Sequence, residues 1–149
     1  MSSARRLLCG VYVAVAVIAL LGTWRQNIAF MQETGLSFFE GFVAFWPALL
    51  VNRATVSVTV DIFVLGLAAV IWMVLEARRL QIKFVWLYVL FSMTVAISAM
   101  FPLFLVARER RLAEHAADTT EPAPTMGDKV GLGLFAAGIV AFTVWRTFQ

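Results

Sequence analysis

Three apolar runs, residues 7–24, 54–75 and 84–107, carry a single charged side chain among them, Asp61. No other feature limits the fold of this chain so strongly. As a helix the second run would extend about 33 Å, enough to cross a hydrocarbon core of roughly 30 Å. Lipid offers no water to exposed backbone N–H and C=O groups, so a chain that spans it is helical or closes into a barrel. Barrel strands alternate polar and apolar residues over about ten positions. These runs instead carry Leu, Ala, Val and Phe on every face, which predicts helices and an all-α integral membrane bundle. Composition agrees: 62% apolar and 14% charged residues, against roughly 45–50% and 25% in soluble domains.

The segments between the runs set the organisation. Arg5 and Arg6 precede the first run as in a secretory signal, but its exit, ALLGTWRQ, lacks a small-x-small cleavage pattern and further runs follow. The run is therefore expected to stay as an anchor. Residues 28–51 are apolar but interrupted by Glu33, Gly35, Glu40, Gly41 and Pro47, and Phe38, Phe39, Phe42, Phe45 and Trp46 recur at helical spacing. An interfacial or re-entrant helix suits them, because full insertion would bury Glu40. Residues 108–129 read as a polar linker. The last segment, 130–149, offers sixteen uncharged residues before Arg146, just short of the roughly 17–25 of a usual span. A fourth transmembrane helix is expected there, with Gly133, Ala137 and Ala141 forming a strip for close helix approach.

The residues around the second and third runs carry a family likeness. Asp61 early in a long span, the exit Glu76-x-Arg78-Arg79-Leu80-x-Ile82 followed by Trp86, and the ending Pro102-Leu103-Phe104-Leu105 resemble small bacterial and cyanobacterial integral membrane proteins catalogued as a domain of unknown function. The resemblance covers about residues 7–107. It implies a three-span core and names no reaction. Beyond Arg108 the chain departs from the pattern, so the linker and the fourth helix look like additions.

Polar residues inside the spans are the candidate site. A carboxylate at mid-membrane costs roughly 2.5–3.5 kcal/mol on insertion scales, so Asp61 should have a partner. Arg53, Ser57 and Asp61 share a helix face, and Thr94 and Ser98 on the third span are candidate hydrogen-bond donors. Pro102 is expected to free the carbonyl of Ser98 and kink its helix. Glu76, Arg78, Arg79, Lys83 and Trp86 read as anchors at the headgroups. Ser92, Ala96 and Ala99 form a second small-residue strip for helix packing.

Several chemistries are excluded. Glu76 lies roughly 22 Å from Asp61 along one helix, too far for a carboxylate pair of the glycosidase kind, which works within about 10 Å. One cysteine, Cys9, and one histidine, His115, exclude a clustered zinc site and a haem held by two histidines. The glycines at 131 and 133 lie in an apolar run without the lysine of a phosphate loop. The net charge of +3 comes from basic residues at span ends, not from a nucleic-acid-binding stripe.

These observations lead to a multi-pass protein of the membrane, in a bacterial cell the inner one, without metal or cofactor. Its expected partners are the lipid bilayer and other membrane subunits or further copies of itself. The leading expectation is a non-enzymatic accessory or scaffolding subunit. A small carrier for a proton-linked or lipid-soluble solute, using Asp61, ranks second, and a membrane enzyme on an isoprenoid-like substrate third. With four crossings the basic residues tie, six to a side. The Arg5–Arg6 start and the short EARRLQIK loop tip the expectation toward a cytoplasmic N-terminus.

Overall fold

The computed structural model describes residues 2–114 and, beyond them, Met126, Gly127, Val130, Gly133, Leu134, Ala137, Gly138, Val140 and Ala141. Helix α1 (Ser3–Thr34) is much longer than the apolar run inside it. Its start is capped by the Ser2 hydroxyl, which accepts from the Arg5 N–H at 3.3 Å. The polar stretch after Trp24 contains no breaker until Gly35, where a φ of 66° ends the helix and the N–H groups of Gly35 and Leu36 close on Gln32 and Met31. A side chain would strain that left-handed position. The first part of the expected interfacial segment is therefore a continuation of α1.

Helix α2 (Phe38–Ala48) follows after a three-residue corner. Ser37 and Glu40 begin it as a reciprocal cap: Glu40 Oε2 accepts from the Ser37 N–H at 3.1 Å and from its hydroxyl at 2.6 Å. Pro47 sits in its last turn. Helix α3 (Arg53–Arg79) starts on Asn52, whose Oδ1 accepts from the N–H groups of Ala54 and Thr55 at 2.9 and 3.0 Å. Residues 80–84 reverse the chain with Gln81 and Phe84 both at positive φ. Then come α4 (Val85–Phe91), a π-helical turn (Ser92–Ala96) and α5 (Ile97–Glu114). Among the described residues three helical stretches are long and apolar enough to cross a membrane: Ser3–Thr34, Arg53–Arg79 and Val85–Glu114. Among the described residues there is no strand.

The stretch Val85–Glu114 is bent back on itself. In a straight helix Tyr88 and Phe104 would stand about 24 Å apart, whereas their ring centroids are 5.7 Å apart. Val85 and Phe104 also share one buried cluster. The change of direction falls at the π turn, where the wider i→i+5 spacing interrupts the helical ladder. Pro102 lies buried inside α5, and Trp72 packs on both Phe101 and Phe104 beside it.

Contacts fix the directions of the helices. A Cβ at Gly66 would touch Ile97, Trp72 meets Phe101 and Phe104, and Glu76 meets Arg108, so α3 and α5 run parallel. Arg5 approaches Glu109 while Trp24 and Asn27 lie by Met93, Thr94 and Val95, so α1 runs antiparallel to α5. These two helices make the broadest contact in the molecule. Small residues permit it: Ala16 of α1 and Ala99 of α5 are both buried. Ser92 is buried as well and Ala96 half-buried, so the strip at 92, 96 and 99 faces inward. The core proper is Met73, Ala77, Val85 and Phe104, wrapped by Val74, Ile82, Tyr88 and Phe101.

The expected linker begins later than its composition suggests, because α5 continues through Glu114. His115 and the linker after it, to residue 125, lie outside the described residues. In the segment of the expected fourth helix, Gly133, Ala137 and Ala141 are helical and exposed. Most of that run is outside the described residues.

Candidate functional site

Two carboxylates on α3 meet opposite environments. Glu76, one turn before the helix end, is 8% exposed. Its Oε1 accepts from Arg108 Nε at 2.7 Å and from Arg79 Nη2 at 2.5 Å, and its Oε2 accepts from Arg79 Nε at 2.6 Å. Arg108 also donates through Nη1 to Glu109 Oε1 at 2.7 Å, and Arg5 Nε stands 3.9 Å from the other oxygen of Glu109. The guanidinium of Arg108 lies 5.9 Å from the centroid of the Trp72 ring, within cation–π range. One alternating chain of charge thus ties the start of α1, the end of α3 and the end of α5. Glu76 was expected as a headgroup anchor. It is a packing residue, because Arg108 crosses from α5 to satisfy it. Arg78, Lys83 and Trp86 are exposed at the same end, while Arg79 is exposed along most of its length and tied at its tip.

This arrangement changes the distribution of charge. Arg5, Arg79 and Arg108 are in one cluster, and Arg6, Arg78, Lys83, Arg110 and Arg111 adjoin them in the chain. Arg25 lies in the second half of α1 and Arg53 at the start of α3, both away from this cluster. The tie between the two sides disappears, because the bend at the π turn brings Arg108 back to the end where α1 starts.

Asp61 is the opposite case. It is exposed, and among the described residues no hydrogen bond or ion pair reaches it. Arg53 and Ser57 are exposed on the same face. The expected donors do not serve it: Thr94 gives its hydroxyl to the Leu90 carbonyl at 3.0 Å, and Ser98 is exposed on α5. Around Asp61 the helix surface is bare and apolar, with Val58, Val60, Ile62, Phe63, Val64, Leu65 and Leu67 all exposed. Among the described residues no hydrogen bond joins Arg53, Ser57, Thr94 or Ser98 to Asp61.

A third place was only half legible. The aromatic face of α2 packs on the far end of α1, with Phe38 stacked on Trp24 and Phe45 edge-on to Phe30, both at 6.2 Å between centroids. Gly41 is buried in this contact, where a Cβ would run into the Met31 side chain. Trp24 lines two hollows here. One, of about 90 Å³, is walled by α1, α2 and the π turn. The other, more open, runs along Leu20, Leu21, Arg25, Ile28 and Gln32. The indole Nε1 of Trp24 is buried and has no acceptor among the described residues. Among the described residues no group of three His, Cys, Asp or Glu is placed to hold a metal.

Sequence reasoning missed Arg108 and Glu109, which look like the first residues of a solvated tail. The only available signal was Glu76 itself, a carboxylate at the end of a long apolar run. The unpaired indole gave no signal at all.

Fold and site together define a helical membrane-type protein, with long apolar helices pinned at one end by buried charge. The model of the family described as protein of unknown function DUF2834 matches residues 11–110, and the chain belongs to that family. No curated protein and no solved structure matches it.

Proposed function

We propose that this protein is a non-enzymatic accessory or scaffolding subunit that docks another transmembrane helix against the outer face of α3. The observation that carries the reading is Asp61, a carboxylate without a partner in a bare apolar surface. In lipid such a group is stabilised by a hydrogen-bond donor on a neighbouring helix. The two hollows beside Trp24 lie along α1, α2 and the π turn and do not include Asp61. The gathering of basic residues at the start of α1 supports a cytoplasmic N-terminus.

Purification in mild detergent tests the reading. The wild-type chain should carry a stoichiometric membrane partner or form a defined oligomer, and Asp61→Leu should release it. If the purified chain moves protons or a solute in liposomes and Asp61→Asn abolishes that, the carrier reading replaces this one.

A further inference from the structure

The two hollows beside Trp24 share that ring and Val95 as a common wall. The first is lined mostly by rings and thioethers, among them Phe42, Met31 and Met93. The second combines an aliphatic floor, Leu20, Leu21 and Ile28, with Arg25 and Gln32. Between them is an indole N–H that has been taken from solvent without an acceptor. A buried donor left unpaired costs on the order of 1–3 kcal/mol, so its position favours any ligand that brings an acceptor. Trp24 also closes the apolar run 7–24, the depth at which tryptophan collects in membranes and at which lipid ester groups lie.

We propose that this groove binds one anionic glycerophospholipid. An ester carbonyl of the lipid accepts from Trp24 Nε1, its phosphate lies against Arg25, and an acyl chain runs along Leu20, Leu21 and Ile28. The carbonyl is selected by the orphan donor, the negative headgroup by the arginine, and the chain by the floor. A free phosphate ion would meet the charge of Arg25 but not the indole or the aliphatic wall.

The site is separate from the face of α3, so its test is independent of the docking reading. Native mass spectrometry of the detergent-purified full chain would be run with added phosphatidylglycerol, its ether-linked analogue, which lacks the carbonyl, and phosphatidylcholine. Saturable binding of one phosphatidylglycerol is expected, roughly fivefold tighter than the ether analogue, in line with one net hydrogen bond. Trp24→Phe keeps a ring and removes the donor, so ester and ether lipids should then bind alike. Arg25→Gln should erase the preference for phosphatidylglycerol over phosphatidylcholine. Equal binding of ester and ether lipids to the wild-type chain would overturn the proposal without needing any variant to fold. So would lipid adducts that grow with concentration and never saturate, the signature of unspecific annular lipid, or competition by inorganic phosphate alone.

Discussion

The two halves of α3 each carry one carboxylate and meet opposite fates. In the C-terminal half, Met73 and Ala77 are almost fully buried against Val85 and Phe104, and Glu76 is held by two arginines. In the N-terminal half, Val58 to Leu67 is mostly bare and Asp61 has no partner among the described residues. The difference teaches where the chain completes itself. The returning α5 covers the upper half, and Arg108 arrives with it. Below the π turn the lower half of α3 has less to pack against, and its surface is left for something else. A carboxylate is structural where a second helix supplies its donor and available where none does.

The comparison breaks most readily at Phe104, which is fully buried between Trp72 and Tyr88. In lipid the transfer term is weak because acyl chains are as apolar as the core, so the loss is mainly one of packing. Phe104→Ala should cost about 3 kcal/mol, the lower end of such truncations. Denaturation of the detergent-solubilised chain by titrated sodium dodecyl sulfate would measure it. A cost below about 1 kcal/mol, that of an ordinary substitution, would mean that the upper half is not a closed core.

Glu76→Gln should cost roughly 2–3 kcal/mol, since charge-assisted bonds to Arg79 and Arg108 are weakened together. Arg108→Gln should cost a similar amount, for it serves Glu76 and Glu109 at once. The double variant should cost less than the sum, because either single change already breaks the bond between Glu76 and Arg108 that the other would remove. Strict additivity would separate Glu76 from Arg108 and remove the clamp between α3 and α5.

Removing the carboxylate fifteen residues earlier should do almost nothing to the isolated chain. Asp61→Leu is expected to change stability by no more than about 0.5 kcal/mol, as for other exposed positions, and to raise it if it moves at all. Its effect belongs to the assembled state, where the partner should be lost. A large destabilisation of the monomer would show that Asp61 has an intramolecular role and would sink the contrast with Glu76.

Much of this architecture is legible in the sequence, for local reasons. The apolar runs announce helices, and Phe38, Phe42 and Phe45 announce a packed helix face by their spacing. Ser37 and Glu40 form a reciprocal cap within four residues. What is not legible is long-range. Arg108 finds Glu76 from 32 residues away, and nothing near Arg108 distinguishes it from the polar tail that follows. The bend at Ser92–Ala96 is equally hidden, because it falls inside an unbroken apolar run with no glycine or proline to mark it. The candidate site suffered from the same blindness. Spacing places Asp61 on a face with Arg53 and Ser57, but it gives no account of which helix covers that face.

The smallest effect lies at the corner between α1 and α2, where a third carboxylate is neither buried nor abandoned. Glu40 is exposed, and the Ser37 hydroxyl, followed by the Ser37 N–H, holds its carboxyl below the ordinary range. A depressed value means that the cap is at full strength above the unfolded value of about 4.3 and weakens as the pH falls through the lower folded value. Acidification should therefore loosen the start of α2 and with it the stacking of Phe38 on Trp24. The expected readout is a modest change in tryptophan emission below about pH 4 that is absent from Glu40→Gln, which cannot titrate. The change should also be absent from Trp24→Phe, which keeps the corner but removes the reporter. An identical acid response in all three chains would assign it elsewhere and leave the cap without influence on the aromatic corner.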